Sequence, residues 1–565
     1  MKRWIIFLMI LCLVCGACFS ANGEESAYSV TTKDVKLYAG TVDNCSDFQV
    51  FFINDGNIPY IRAEDVGLFI ETAYSILPLA DGFYGLEYRA EGDHAVYTRG
   101  KYTMDIDFMN DTITFNDFDA FLKMENTGLV DLVWTSKKTA PLFRQSDMTT
   151  DRYGKGIVFD LKQYGIDLVV TDGQYYLPMQ TVSDIVCSYY ECPAIFNGDA
   201  IILSESMDAA LKSVYQAGNW SWSEDLAEFS YHELCLVLDY QYGLKSIHNI
   251  ESFEDLFVET GLKEGFLNTD AVKADKALYR LIYYVLGDQH SQINSLSLMS
   301  DGEAVKKDLP HGQGIASYRM AQARSEFSAA RNKAYPDGIP AYEEIGNTAY
   351  ITFDEFVDFN DTIDYLAPVT EADNSPDETV RLMQYSCAQI LREGSPVKNV
   401  VLDLSNNGGG STGAAEYVMS TFLGEADFST RNTMTGAMTD SIYAVDTNMD
   451  GVFDEQDTLA GKGLNLFCLE SPISFSCGNL VPCVFKSSQK VTLLGQTSGG
   501  GSCSVHLFTT TYGTCFQISG YRRFSVMKNG SFYDIDLGAE PNFHIANPEK
   551  YYDREALTEF INGLY

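Results

Sequence analysis

Basic residues are scarce in this chain of 565 residues. Lysine and arginine together number 39 against 78 aspartates and glutamates, which leaves a net charge of −39. Such a balance repels nucleic-acid phosphates and anionic membrane surfaces, and no local run of basic residues reverses it. A nucleic-acid partner is therefore excluded. The acidic surface suits a protein that stays soluble in a salty exterior or that binds cations.

Long apolar runs are lacking after the N-terminus, so no later segment is predicted to cross a membrane. Residues 1–21 are the exception, because Lys2 and Arg3 precede an apolar run over residues 4–15. This is the pattern of a secretory signal, too short for a stable span. The Gly-Ala pair before Cys18 resembles a lipoprotein cleavage site, which would make Cys18 a lipid anchor. The alternative is plain secretion with cleavage near Ala21. Either way we expect an extracellular or cell-surface protein.

Cysteine is too thinly spread to indicate a disulfide framework. Three of the 13 cysteines lie in the signal segment, and no CxxC zinc spacing occurs among the others. Cys187 and Cys192 are close enough in sequence to form a pair. Five more cluster towards the C-terminus: Cys468, Cys477, Cys483, Cys503 and Cys515. Connectivity stays open, because ordinary buried thiols are the alternative.

Periodicity divides the rest of the chain into three parts. Residues 22–205 are predicted to form a β-rich accessory domain, since short apolar runs alternate with Asp, Asn and Gly turns. Residues 206–310 are predicted to be helical, with apolar residues three and four apart in 224–238 and 273–286. From residue 340 to 565 short apolar strands alternate with helices, which indicates an α/β core with parallel strands.

Two stretches of the accessory region look alike. Residues 54–70 and 171–187 each contain a turn, a strand with a proline and a short helix-like stretch, which predicts an internal duplication. They loosely resemble the small N-terminal-like domain of some copper amine oxidases and of many exported bacterial proteins. The resemblance implies no copper site. The alternative is a duplicated accessory module of the βαβ type.

Three islands of sequence carry the chemistry: Leu286-Gly-Asp-Gln-His-Ser291, then Val401-Leu-Asp-Leu-Ser-Asn-Asn-Gly-Gly-Gly410, then Ser474-Phe-Ser-Cys-Gly-Asn479 with the glycine-rich stretch 491–501 behind it. In this order they resemble the tail-specific, or C-terminal-processing, serine peptidase family. The likeness is greatest to the branch that includes the tricorn core protease. It covers about residues 206–565 and implies an α/β fold of the crotonase/ClpP type. Members often carry a PDZ domain, but residues 295–345 are too few for one, so none is expected.

Ser476 is the candidate nucleophile. A serine hydroxyl needs a base to take its proton and a third group to orient that base. Ser476 immediately precedes a helix predicted over residues 477–485, which exposes the hydroxyl and directs free N–H groups at a developing oxyanion. The Cys477 amide is one candidate donor. The glycine turn supplies another, which the resemblance places at Gly409. The alternative for Ser476 is an ordinary helix N-cap.

His290 is the candidate base. The chain has only seven histidines, and His290 alone lies in such an island. The resemblance implies that Ser291 supplies an orienting hydroxyl. A second branch of the family uses a lysine in a Thr-x-Gly-Lys element, but the matching stretch here is Thr497-Ser-Gly-Gly500. The missing lysine favours a Ser–His pair. A structural histidine and a turn-capping serine are the alternatives.

The resemblance also implies a carboxylate close to residue 535, just before a Gly-x-x-Pro-Asp element. That element reads Gly538-Ala-Glu-Pro-Asn542 here, and the nearby carboxylates are Asp534, Asp536 and Glu540. We favour Asp536 as the member of the catalytic set, and the other two remain open.

Two positions depart from the family pattern. Ser405 stands where an arginine is usual, and Asn542 stands where an aspartate is usual. These departures support an alternative function, in which the chain is an exported binding protein that retains the peptidase fold with weak or no activity. We expect Asp403, at the end of a predicted strand, to have a structural role.

Residues 446–457 have the spacing of a calcium loop. Such loops place oxygen ligands at positions 1, 3, 5, 7, 9 and 12, with a glycine at position 6. The residues at those ligand positions are Asp446, Asn448, Asp450, Val452 (through its carbonyl), Asp454 and Asp457. Aspartate at the last position resembles the loops of dockerin modules. A structural Ca²⁺ would stiffen an insert at about residues 425–465. A solvated acidic turn and a docking module for another protein are the alternatives.

These observations together predict an exported serine endopeptidase that cleaves peptides or proteins through an acyl-enzyme. We expect calcium to be structural and no cofactor to take part in catalysis. The sequence leaves the oligomeric state open.

Overall fold

The computed structural model describes residues 28–76, 85–122, 142–150, 156–307, 315–360, 362–528 and 531–565. The predicted signal segment and Cys18 lie outside this range. No helix of the described residues is long and apolar enough to span a membrane. The ten cysteines within the range are all unpaired thiols. Cys187 and Cys192, the pair suggested by spacing, are buried neighbours, and the Cys192 N–H donates to the Cys187 carbonyl at 3.2 Å.

The N-terminal part is β-rich, as predicted. Its strands are β1 (Val30–Ala39), β2 (Thr41–Ile53), β3 (Tyr60–Arg62), β4 (Glu87–Glu91), β5 (His94–Arg99), β6 (Tyr102–Asp107), β7 (Thr112–Phe115), β8 (Phe143–Thr150), β9 (Ile157–Asp160), β10 (Val169–Thr171), β11 (Gln174–Pro178), β12 (Ala194–Phe196) and β13 (Ala200–Leu203). One sheet has the order β10-β11-β3-β2-β1-β13-β12, and the other has β4-β5-β6-β7-β9. Three short helices complete this part: α1 (Val66–Ile76), α2 (Phe118–Leu122) and α3 (Met179–Ile185).

The two look-alike stretches lie side by side. Strands β3 and β11 pair antiparallel, with Ile61 opposite Leu177, and the chain continues from them towards α1 and α3. Both helices bury apolar side chains, among them Phe69 and Val182, in one shared core. Each stretch therefore supplies a central strand and a covering helix to the same sheet.

The next part is helical, as the periodicity predicted. It contains α4 (Ala209–Gln216), α5 (Glu224–Gln241), α6 (Phe253–Glu259), α7 (Lys263–Phe266), α8 (Ala271–Arg280), a π-helical segment (Leu281–Leu286), β14 (Gln292–Ser295), α9 (Gly302–Lys306) and α10 (Ile315–Ala334). Helix α5 buries Phe229 and Leu236 in the N-terminal core, and it buries Leu234 and Leu238 in a second core. It therefore joins the accessory region to the region that follows.

The C-terminal part contains β15 (Tyr342–Ile345), β16 (Thr348–Thr352), β17 (Asn399–Asp403), β18 (Glu425–Asn432), β19 (Met438–Val445), β20 (Asn465–Glu470), β21 (Val491–Gly495), β22 (Cys503–Thr509), β23 (Cys515–Lys528), β24 (Ser531–Asp534) and β25 (Phe543–His544). Its helices are α11 (Thr379–Ile390), α12 (Thr412–Leu423), α13 (Cys477–Ser488), α14 (Glu549–Tyr552) and α15 (Arg554–Asn562). Short 3-10 helices cover Ala63–Asp65, Lys162–Tyr164, Cys187–Tyr190, Glu371–Asp373, Glu455–Asp457 and Ala460–Lys462.

A six-stranded sheet forms the centre of this part, in the order β15-β16-β17-β20-β21-β25. The strands from β16 to β25 run parallel, which confirms the predicted α/β core. Val400, Leu402 and Leu493 are fully buried, because helices cover both faces of a parallel sheet. The carboxyl ends of β17 and β20 lie side by side, with Asp403 opposite Leu469.

A second sheet connects the distant parts of the chain. It has the order β14-β23-β18-β19-β8, and β22 and β24 also pair with β23. Most of the predicted insert forms its β18–β19 hairpin. Strand β8 of the N-terminal part covers the open edge of this hairpin, with Thr150 opposite Thr439. The accessory region thus supplies a strand to the peptidase part, a pairing that local sequence patterns do not reveal because it joins residues far apart in the chain.

Candidate active site

Ser476 lies at the start of α13, partly exposed, in a backbone conformation that L-residues seldom adopt (φ 56°, ψ −123°). Its N–H donates to the Gly500 carbonyl at 2.9 Å, and the Phe475 N–H donates to the Asn407 carbonyl at 3.1 Å. A strained conformation of this kind costs about 1–3 kcal/mol and persists only where its surroundings hold it. The turn therefore fixes the hydroxyl at the N-terminal end of the helix, as predicted for a nucleophile.

Gly409 lies against Ser476 and has no room for a side chain. A Cβ atom at Gly409 would lie 2.6 Å from the Ser476 Cβ and 3.1 Å from its Oγ, and the φ of Gly409 is +109°. Its N–H, expected to serve the oxyanion, instead donates to Asn407 Oδ1 at 2.9 Å. Among the described residues, no acceptor binds the N–H groups of Gly410 and Cys477. Within the glycine turn, the N–H of Gly410 is therefore the one that remains free to bind an oxyanion.

The His290 ring packs against the ring of Phe475, the residue before the nucleophile. The two rings are 4.6 Å apart between centroids, and the His290 carbonyl accepts from Gln517 Nε2 at 2.7 Å. Within the described residues no hydrogen bond joins the imidazole to the Ser476 hydroxyl. Catalytic hydrogen bonds often form only when substrate is bound. Burial lowers the pKa of His290 below its ordinary value, while the charges of Asp288 and Asp536 act in the opposite direction.

Ser291 is almost fully buried, at 2% exposed. Its Oγ accepts the Ser519 N–H of β23 at 3.1 Å. The predicted hydrogen bond from Ser291 to the base is not among those of the described residues. What the structure does show is that Ser291 attaches the His290 segment to β23.

Asp288 is a residue that the sequence reasoning missed. One carboxylate oxygen accepts the Ser291 N–H at 2.7 Å and the Ser519 hydroxyl at 2.8 Å, and the other accepts the Tyr242 hydroxyl at 2.9 Å. Burial raises the pKa of Tyr242 well above its usual value, so this hydroxyl keeps its proton. Its place in the sequence could have identified it, because Asp288 lies in the first island, two residues before His290.

Asp536 lies beside the nucleophile turn. Its Oδ1 accepts the Gly501 N–H at 3.3 Å and the Ser502 N–H at 3.1 Å. Of the three open carboxylates, Asp536 alone contributes charge to the pKa shift of His290. Asp534 instead forms an ion pair with Arg523 at 2.5 Å, and Glu540 is exposed.

The structure accommodates both departures from the family pattern. Asp403 is buried and pairs with Arg554 of α15 at 2.5 Å, and the Ser405 N–H donates to the other Asp403 oxygen at 2.9 Å. The Asn542 N–H donates to the Leu493 carbonyl at 2.8 Å, and its side-chain oxygen accepts the Leu493 N–H at 2.9 Å. The expected structural role of Asp403 agrees with this arrangement.

The predicted calcium loop runs from the end of β19 to the 3-10 helix Glu455–Asp457. Its side-chain oxygens accept N–H groups of the loop itself: Asp446 from Met449 at 2.7 Å and from Gly451 at 2.8 Å, and Asp457 from Thr447 at 2.9 Å. The described residues contain no group of three or more His, Cys, Asp or Glu side chains placed to hold a metal ion. The all-oxygen donor set of the loop, which includes Asn448 and the Val452 carbonyl, suits Ca²⁺ chemically.

Residues 347–543 match the model of peptidase family S41. This span includes the glycine turn, Ser476 and Asp536, whereas His290 precedes it. A search of curated proteins finds no match to the chain.

Solved structures with similar folds include three peptidases. The photosystem II D1 C-terminal processing protease is 19% identical, with 38% of this chain and 46% of that chain covered and a TM-score of 0.27. Mature CPAF complexed with lactacystin is 11% identical, with coverages of 60% and 99% and a TM-score of 0.38. The tricorn protease is 9% identical, with coverages of 85% and 46% and a TM-score of 0.32. The match thus spans less than half the length of the first and the third.

Proposed function

Residues 347–543 belong to peptidase family S41 and the chain is a serine-type peptidase; from this premise we propose that it is an exported endopeptidase that cleaves peptide bonds through an acyl-enzyme formed on Ser476. The observation that carries the proposal is the strained turn at Ser476, packed against Gly409 at the carboxyl ends of two parallel strands. The family and the class were both predicted from the three islands, and both are confirmed.

In the proposed mechanism, neutral His290 accepts the Ser476 proton as Oγ attacks the scissile carbonyl. The N–H groups of Cys477 and Gly410 then bind the oxyanion. Collapse of the tetrahedral intermediate releases the amine, which takes the proton from His290. Water next attacks the acyl-enzyme with the same imidazole as base. The negative charges of Asp288 and Asp536 stabilise the imidazolium that forms in each step.

Labelling of full-length protein with a fluorophosphonate probe tests this proposal. Wild type should label, Ser476→Ala should not, and His290→Ala should label about 10²-fold or more slowly. Ser487→Ala, an exposed serine of the same helix, and His544→Ala, an exposed histidine, are matched controls that should label as wild type does. Folded wild type that fails to label would contradict the proposal and favour the binding-protein alternative.

Export is part of the proposal and rests on the N-terminal sequence. Fractionation of producing cells should place the protein on the outer face of the membrane. If Cys18 is lipidated, Cys18→Ala should release the protein into the medium or block its processing. A cytoplasmic protein of uncleaved mass would contradict export.

Structural calcium at residues 446–457 remains a prediction. Its support is the sequence spacing and the turn at Gly451, whose φ is +77°. Thermal unfolding of the metal-free chain with Ca²⁺ or with a chelator tests it, and Asp446→Asn should remove any Ca²⁺-dependent rise in Tm. Equal Tm values in the two conditions would favour the solvated acidic turn.

A further inference from the structure

A cavity of about 420 Å³ lies on the side of the glycine turn that faces α10. Two arginines of α10, Arg324 and Arg331, line it together with Asp354, Glu355 and the turn itself. Two cationic side chains in one cavity are notable in a chain whose net charge is −39.

The two arginines are not equivalent. Arg331 binds Asp354 through both terminal nitrogens at 2.7 Å, so each neutralises the other. Arg324 is exposed, and within the described residues it forms no ion pair or hydrogen bond. Glu355, also exposed, is the remaining charged group of the lining. Among the described residues, Arg324 is therefore the cation of this lining that has no counter-charge bound to it.

The turn brings this guanidinium close to the nucleophile. A Cβ atom at Gly408 would lie 3.2 Å from Arg324 Nη2, and one at the next residue, Gly409, would lie 3.1 Å from Ser476 Oγ. Gly408 thus faces Arg324 and Gly409 faces Ser476. The backbone of the glycine turn lies between these two side chains. An extended peptide advances about 3.3 Å per residue, so a substrate attacked at Ser476 reaches Arg324 within a few residues of the scissile bond.

We propose that Arg324 and this cavity form a subsite for a carboxylate of the peptide substrate, resting on the peptidase function proposed above. The planar guanidinium matches a carboxylate with two parallel hydrogen bonds, and charge-assisted bonds of this type are among the stronger ones. Because an endopeptidase cleaves within a chain, we assign this carboxylate to an Asp or Glu side chain of the substrate. Glu355 weakens the subsite, because its charge repels the same group.

Cleavage of a random-sequence peptide mixture by the full-length protein tests the proposal. Peptides are supplied as C-terminal free acids and as C-terminal amides, and products are sequenced by mass spectrometry. Wild type should prefer Asp or Glu at one position near the cleaved bond if the side chain binds. A preference for free acids over amides that Arg324→Ala removes would instead assign the bound group to the C-terminus and overturn the side-chain subsite.

Three variants make the test specific. Arg324→Ala should reduce the preference for the carboxylate about tenfold, the value of one charge-assisted bond. Arg324→Glu should reverse the preference, so that Lys and Arg are favoured at that substrate position. Glu355→Gln should strengthen the preference for the carboxylate. Arg319→Ala, an exposed arginine of the same helix, is the matched control and should keep the wild-type preference.

The outcomes separate the two proposals. Wild type that labels with fluorophosphonate and cleaves peptides, but with a preference that Arg324→Ala leaves unchanged, overturns the subsite alone. Wild type that neither labels nor cleaves overturns the peptidase function and the subsite together.

Discussion

The nucleophile and the base of this site are held in different ways. Backbone contacts hold Ser476: the Gly500 carbonyl, the close approach of Gly409, and strands buried on both faces. Side-chain hydrogen bonds hold the segment that carries His290: Tyr242 and Ser519 donate to Asp288, and Gln517 donates to the His290 carbonyl. We infer that the nucleophile is sensitive to steric changes, whereas the base is sensitive to changes in charge and hydrogen bonding.

The largest effect is expected from Gly409→Ala on the nucleophile side. The new Cβ would lie 2.6 Å from the Ser476 Cβ, so Ser476 or the turn must move. Displacement of about 1 Å can cost about 10²-fold in rate, and fluorophosphonate labelling measures it.

Gly463→Ala is the matched control for that change, since Gly463 also has a positive φ, +71°, but nothing lies near its Cβ position. It should strain its own turn and leave labelling unchanged. Equal losses in the two variants would refute the steric account.

Arg554→Met tests the sheet beneath the nucleophile. It leaves Asp403 buried without its partner, and breaking such a pair costs about 3–5 kcal/mol of unfolding free energy. Urea denaturation measures the loss. The double variant with Asp403→Asn removes the unpaired charge and should recover part of the lost unfolding free energy. No recovery would show that Arg554 acts through packing alone.

Asp288→Asn tests the base side. Removal of the negative charge further lowers the pKa of His290, because that charge favours the imidazolium. Neutral His290 is the active form, so the rise of the labelling rate with pH should shift to lower pH. The plateau rate should fall roughly tenfold, which corresponds to a loss of about 1.4 kcal/mol.

Asp536→Asn should shift the pH profile in the same direction by less, because Asp288 has the larger effect on His290. Labelling rates between about pH 4.5 and pH 8.5 measure both shifts, in a range where neutral and charged histidine interconvert. A larger shift for Asp536→Asn would assign the main carboxylate role to Asp536, as the sequence predicted.

The smallest effect is expected at Glu233, on the face of α5 that lies against α3. Burial raises the pKa values of Glu233 and its neighbour Asp184 above their usual range, so both are protonated more readily when folded than when unfolded. The folded protein then binds more protons, and its stability decreases as pH rises from the ordinary carboxyl range through the raised pKa values.

Glu233→Gln should therefore make Tm decrease less between about pH 5 and pH 8 than in wild type. Glu228→Gln, an exposed residue of the same helix, is the control and should follow the wild-type slope. Equal slopes of Tm against pH in wild type and both variants would contradict a raised pKa at Glu233.

The sequence by itself determined the local parts of this protein. The strand expected to end at Asp403 and the helix predicted over residues 477–485 are found as β17 and α13, because apolar periodicity depends on neighbours in the chain. Gly409 and Ser476 were identified from the resemblance of their islands to the peptidase family, and such islands are short stretches that can be read from the sequence alone.

Tertiary structure alone decided the long-range partners. Arg554 reaches Asp403, β8 pairs with β19, Tyr242 binds Asp288, and Arg324 lines the cavity beside the glycine turn. Each joins residues far apart in sequence, and no periodicity encodes such a pairing. These contacts form because a buried charge or an open strand edge must find a partner, and only the folded chain brings that partner within reach.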